Sequence, residues 1–174
     1  LSLNSHIEPT FSFEAPAHVK GTIVHEILEE IFNKAIKNSE SANQLLNKSS
    51  QLLEIMVSKK FTEHKATLSC HPISLELSKQ KIIADIKDYF SHNDGSFAID
   101  TEIEFSKVPI EVGDRTLHFH GKIDRIDRLP STIKIIDYKT GKIAKNQTKE
   151  YRTGKSLQLP IYLYAVANLK QLSF

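Results

Sequence analysis

The chain is 174 residues long, 40% hydrophobic and 25% charged, with 23 Lys and Arg against 21 Asp and Glu, for a net charge of +2. That apolar content excludes a disordered chain, and only six glycines and six prolines exclude collagen-like or low-complexity repeats. The single cysteine, Cys70, excludes an internal disulfide framework, a four-cysteine zinc site and a self-contained four-thiolate iron–sulfur cluster, and it favours a reducing, cytoplasmic setting.

No apolar stretch approaches the ~20 residues needed to cross a bilayer, and the first residues lack a signal-peptide pattern, so no membrane partner is expected. The length suits one domain, 1–174, with a substantial core. A start at Leu1 without Met and an end at Phe174, straight after a helical pattern, read as a domain cut from a longer polypeptide.

The first half carries helical periodicity. Residues 18–37 space Val24, Ile27, Leu28, Ile31, Phe32 and Ala35 three and four apart. A second helix is predicted over 42–60, with Leu45, Leu46, Leu52, Leu53 and Met56 on one stripe, and a third over 74–91, with Leu75, Ile82, Ile83, Ile86 and Phe90. Asn93-Asp94-Gly95 is a turn signal that closes the helical half.

The period then changes to two. Residues 97–106 alternate like a half-buried strand, and Val108–Val112 reads as a separate short strand closed by a Gly113-Asp114 turn. Residues 116–128 form a longer strand, and a turn at Pro130-Ser131 leads into a strand from Ile133 to Lys139, stopped at Gly141. A last helix is predicted over 155–170, amphipathic through Leu157, Ile161, Tyr164, Ala165 and Leu169. Helices, a strand meander and a returning helix make an α/β layer fold.

The chemistry concentrates in Gly121-Lys-Ile-Asp124-Arg-Ile-Asp127 and Asp137-Tyr138-Lys139-Thr140-Gly141. Asp137 and Lys139 are two apart on a strand and project together, and hairpin pairing brings Asp124 toward Asp137. Two carboxylates there form an oxygen-rich site suited to Mg2+ or Mn2+, and a lysine beside them can stabilise charge developing on a phosphate. The plainer reading is a surface ion pair between Asp137 and Lys139. Against it, Asp137 emerges from the apolar run Ile133, Ile135 and Ile136, where an acid needs a charged partner.

His25 falls on the shoulder of the apolar arc of the first helix, where an imidazole can serve as a metal ligand or simply pack. Gln158 and Tyr162 are i and i+4 on the last helix and can hydrogen-bond a phosphate, a base edge or the lysine. Residues 139–155 hold Lys139, Lys142, Lys145, Lys149, Arg152 and Lys155 against Glu150 alone, a loop suited to a polyanion. His118 and His120 share the strand parity of Asp124, a weaker signal, and no phosphate-binding Gly-x-x-x-x-Gly-Lys-Ser/Thr loop occurs.

Taken together, Gly21-Thr-Ile-Val-His25-Glu-Ile-Leu-Glu, Gly121-Lys-Ile-Asp124-Arg-Ile-Asp127, Ile136-Asp137-Tyr138-Lys139-Thr140-Gly141 and Gln158-Leu-Pro-Ile-Tyr162 resemble the RecB/AddB-type nuclease domain of the PD-(D/E)XK superfamily, from about residue 17 to 170. The resemblance implies a restriction-endonuclease-like α/β core, a mixed central sheet flanked by helices, and metal-dependent DNA cleavage. It implies His25, Asp124 and Asp137 as metal ligands, with the Tyr138 carbonyl as a further one, Lys139 as the catalytic lysine, and Gln158 and Tyr162 as residues that organise the site and contact DNA. Glu102 or Glu104 matches a further acidic position, the two being equivalent in the sequence. Relatives that staple the domain with four cysteines around an iron–sulfur cluster differ from this chain, which has only Cys70. The family core usually continues into a further strand beyond the Gln-x-x-x-Tyr helix, where this sequence ends.

The function expected from these readings is a Mg2+- or Mn2+-dependent DNA exonuclease module of a helicase–nuclease or recombination-repair protein, with a helicase domain in the same parent chain or a partner subunit. The rivals are a catalytically silent DNA-binding or scaffolding domain and a hydrolase of small phosphates.

Overall fold

The computed structural model describes residues 15–49, 51–68, 70–92, 97–129, 131–140, 147–154 and 156–168. They form two compact units: one from the described residues of 1–27 and 49–92, the other from those of 28–48 and 93–174. The architecture is mixed α/β with a helical N-terminal half, as expected.

In the first unit, helix α1 (Ala17–Lys37) begins with Val19, Ile23 and Ile27 buried. Helix α3 (Leu52–Glu63) buries Leu53, Met56, Val57 and Phe61, and packs on α4 (Pro72–Ser91), which buries Ile82, Ile86 and Phe90. Pro72 opens α4 at a position whose N–H would be unpaired anyway, and His71 Nδ1 accepts from the Ile73 N–H at 3.3 Å.

In the second unit the remainder of α1 buries Leu28, Ile31, Phe32 and Ala35, followed by the short helix α2 (Ala42–Lys48). The single helix expected over 42–60 is thus two helices. Ser41 and Gln44 form a reciprocal capping box that starts α2, with Gln44 N–H donating to Ser41 Oγ at 3.2 Å and Ser41 N–H to Gln44 Oε1 at 2.9 Å. Ser49 leaves the helix, and its carbonyl accepts from the Leu52 N–H at 3.1 Å as α3 begins.

The sheet has the order β1 (Phe97–Val112), β2 (Arg115–Arg128), β3 (Ile133–Ile136), antiparallel throughout its described strands. Strand β1 is one strand rather than two, because pairing to β2 continues across an irregularity between Phe105 and Val108, with Lys107 at φ 55°. Pro109 is tolerated there because β1 is an edge strand. Gly113 makes the expected turn at φ 62°.

Strand β3 ends at Ile136, three residues before the expected Lys139. The ladder stops because the Tyr138 N–H donates instead to the Asp124 carboxylate, at 2.6 Å. Helix α5 (Gln147–Arg152) occupies part of the segment expected to be a basic loop; Lys142, Lys145 and Lys155 lie outside the described residues, as do Asn93-Asp94-Gly95, Pro130, Gly141 and Leu169.

Helix α6 (Gln158–Asn168) buries Tyr162, Ala165 and Val166; of the expected stripe, Ala165 is buried and Ile161 packs against the core, while Leu157 and Tyr164 are 50% and 40% exposed. The three buried residues join Phe105, Val108, Ile123 and Ile126 in one core that fixes α6 against the sheet. Pro160 fits because the first turn of a helix has no use for its missing N–H.

In the first unit, the Glu63 carboxyl lies below its ordinary value of 4.5 because it accepts a hydrogen bond from Lys60, at 2.9 Å. A carboxyl depressed on folding contributes stability above its unfolded value and loses it as pH falls through the folded one. Glu63→Gln should lower the urea midpoint at pH 7, and the difference should shrink as pH falls through the lowered folded pKa of Glu63. A difference independent of pH would contradict that role for the pair.

Candidate active site

The register of β2 against its two neighbours lines up the acids. Thr101 pairs with Arg125 and Ile103 with Ile123, so Glu102 lies opposite Asp124. On the other side Arg125 pairs with Ile136, which puts Asp137 opposite Asp124 just past the last ladder pair. Glu102, Asp124 and Asp137 therefore occupy one row across three strands. Residues directly opposite in antiparallel pairs have Cβ atoms about 5 Å apart, near enough for carboxylates to share a cation.

Glu102 and Asp124 each offer a carboxylate oxygen within 4.8 Å of the other, and both are half-buried. Glu104, whose cross-strand partner is Lys122, is exposed. Geometry thus separates two acids that strand alternation leaves equivalent. Glu102 adopts φ 52°, a left-handed conformation that a residue with a Cβ takes at a cost of about 1–2 kcal/mol. Lys122 forms an ion pair with Glu102, and its hydrogen bond to that carboxylate, above all, raises the Lys122 pKa from 10.5.

Asp137 is held differently. Its side chain is 8% exposed, and it accepts from Lys139 Nζ at 2.6 Å through Oδ2 and from Gln158 Nε2 at 2.7 Å through Oδ1. Lys139, 51% exposed, also donates to Gln158 Oε1 at 2.9 Å. Gln158 Nε2 further contacts the Tyr162 hydroxyl at 2.8 Å. Asp137, Lys139, Gln158 and Tyr162 are therefore one hydrogen-bonded chain, in which helix α6 orients the lysine and the acid that neutralises it.

The ring of Phe105, on which Tyr162 packs, owes its place to a glycine. A Cβ on Gly121 would lie 2.7 Å from Phe105 Cζ and 3.5 Å from Tyr162 Cε1. Only a residue without a side chain leaves room for the edge-to-face pair of Phe105 and Tyr162, with centroids 5.8 Å apart.

Beneath the row lies a buried ion pair that the sequence motif contained but that received no role. Arg125 and Asp127, 3% and 0% exposed, meet through Nη2 to Oδ2 and Nε to Oδ1, both at 2.6 Å. Opposite charges two apart on one face of the strand, interleaved with Ile123 and Ile126, are the signal that could have revealed it. The Arg125 guanidinium lies 3.8 Å from the centroid of Phe32, and its Nη1 donates to the Tyr138 hydroxyl at 3.0 Å. Removing either charge would strand the other in the core at a cost of about 3–5 kcal/mol.

His25 is half-buried on α1, within the first unit, three residues before the helix passes into the second at Leu28. His118 and His120 are exposed on the part of β2 beyond its pairing with β3, and among the described residues neither joins a cluster of ligand-type side chains.

The donor set fits a small divalent cation. Glu102 and Asp124 supply hard oxygen ligands close together, and no described cysteine group competes for a softer ion. The lysine stands beside the same row, half-exposed, and is held by Asp137 and Gln158.

Two outcomes check this geometry. Gly121→Ala should destabilise the protein by about 1–3 kcal/mol in urea denaturation, and adding Phe105→Leu should recover part of the loss; no cost, or no recovery, would contradict the packing. Glu102→Gly should be more stable than Glu102→Ala by about 1 kcal/mol, since glycine alone relaxes at that backbone angle. Equal stabilities would contradict the strained conformation.

No curated protein and no solved structure matches the chain. The family model of the PD-(D/E)XK nuclease superfamily matches residues 2–173. With an acid row, a lysine two residues after one of its acids and a family match over nearly the whole length, the chain belongs to the PD-(D/E)XK nuclease superfamily.

Proposed function

We propose that the chain hydrolyses phosphodiester bonds in DNA, using Mg2+ or Mn2+ held by Glu102 and Asp124. Asp137, His25 and the Tyr138 carbonyl complete the proposed ligand set from their motif positions. The observation that carries this reading is the convergence of the Glu102 and Asp124 carboxylates within 4.8 Å of each other, next to a lysine oriented by Asp137 and Gln158.

A bound divalent cation would lower the pKa of a coordinated water and polarise the scissile phosphate. The protein groups supply the rest. Lys139 Nζ donates to a non-bridging phosphate oxygen as negative charge builds there, an interaction stronger in the transition state than in the ground state. Gln158 holds that ammonium in place through Oε1, and Tyr162 holds Gln158, so the donor is oriented before substrate arrives. Water oxygen bonds to phosphorus and gives up a proton to solvent as the ester P–O bond opposite it breaks, and the departing oxygen takes a proton from solvent.

The finer assignment follows the motif resemblance: an exonuclease module working with a helicase activity in recombination or repair. The bases of residues 139–155 suit a polymeric anion better than a single nucleotide.

Digestion of end-labelled single- and double-stranded DNA tests the proposal. Mg2+ or Mn2+ should support cleavage and EDTA should stop it. Asp124→Asn and Lys139→Met should each reduce the rate by about 100-fold or more while melting near the wild type. Mononucleotides released from ends identify an exonuclease, whereas nicking of closed circles would overturn that finer assignment. Undiminished cleavage by either variant, or in EDTA, would overturn the site.

A further inference from the structure

We propose that Tyr138 is a positioning residue that sets the metal affinity of the site, its ring anchored by the buried Arg125–Asp127 pair and its backbone aligning Asp124. The inference rests on the reading of Asp124 as a metal ligand and goes beyond it by assigning the side chains behind that ligand.

Residues 137–140 lie past the end of β3 and have no ladder to fix them, yet Asp137 and Lys139 must stand in defined places. Tyr138, between them, is tied at both ends. Its N–H donates to Asp124 Oδ2 at 2.6 Å, which fixes the rotation of that carboxylate. Its hydroxyl accepts from Arg125 Nη1 at 3.0 Å.

Arg125 in turn cannot move. Its side chain is 3% exposed, its Nε and Nη2 each lie 2.6 Å from an Asp127 carboxylate oxygen, and its guanidinium lies 3.8 Å from the Phe32 ring centroid. A desolvated guanidinium keeps every acceptor it has, because releasing one inside the core restores no contact with water. The rigid pair therefore passes its position to Tyr138, and Tyr138 passes it to Asp124.

Partners that orient a metal-binding carboxylate govern affinity about as strongly as some ligands do, typically 10- to 100-fold on loss. Tyr138→Phe deletes one oxygen and leaves the backbone donor, so it loosens the anchor without emptying the core. A purely structural role for the hydroxyl would change melting temperature and leave metal affinity alone.

The test is calorimetric titration of the DNA-free protein with Mn2+, with melting temperature measured in parallel. Tyr138→Phe should bind Mn2+ about 10-fold more weakly than the wild type at a similar melting temperature. Phe32→Leu loosens Arg125 from its other side and should weaken binding in the same direction; it decides the matter should Tyr138→Phe fail to fold. Wild-type affinity in the folded variant overturns the positioning role and leaves the metal site standing. Absence of Mn2+ binding by the wild type overturns the metal reading itself, and this inference with it.

Discussion

Everything at the site depends on the antiparallel register of one strand. Because β2 pairs with β1 on one side and β3 on the other, Asp124 acquires Glu102 and Asp137 as its neighbours across the sheet. A slip of one residue on either side would send those carboxylates to the opposite face. The register is held by burial: Ile123 and Ile126, flanking Asp124, are wholly enclosed and belong to the core that also receives Tyr162, Ala165 and Val166 of α6. Burying an isoleucine is worth about 1.5–3 kcal/mol, which easily outweighs the repulsion between partly solvated acids.

That repulsion is still managed locally. Lys122 sits against Glu102 and Lys139 against Asp137. Asp124 accepts from the Tyr138 N–H. Each arrangement also imposes a structural consequence. Glu102 is held in a left-handed conformation, β3 is cut short where Tyr138 turns toward Asp124, and Gly121 must lack a side chain so that Phe105 can pack edge-to-face on Tyr162. Departures from regular strand geometry gather where the chemistry is proposed, as expected when function rather than stability selects a conformation.

Much of this was legible in the sequence. The 3.6-residue periodicity of α1 and α4 and the alternation of β2 identify those elements, because burial on one face leaves a direct trace in the pattern. Asp137 and Lys139, emerging from an apolar strand, already pointed to a buried acid with a charged partner. Other features depend on contacts between distant residues and leave no local trace. Glu102 and Glu104 share a strand parity, and the cross-strand register separates them, Glu102 lying opposite Asp124 and Glu104 opposite Lys122. The end of β3 is set by Asp124, fourteen positions from the N–H that it captures. The division of α2 from α3 was available in Ser41-x-x-Gln44, whose capping box fixes one boundary, but the apolar stripe of Leu45, Leu46, Leu52 and Leu53 runs across it. The stripe of α6 turns partly away from Leu157 and Tyr164 because Tyr162 is core while its hydroxyl also meets Gln158.

The account's central claim is that the acid row beside Lys139 is a divalent-metal site organised around Asp124. Anomalous diffraction at the manganese edge, from crystals grown with Mn2+, tests it most directly. The account predicts a peak between the Glu102 and Asp124 carboxylates, within about 2.2 Å of an oxygen from each. A Mn2+ peak away from those two side chains, or none in protein that binds the ion in solution, would contradict it.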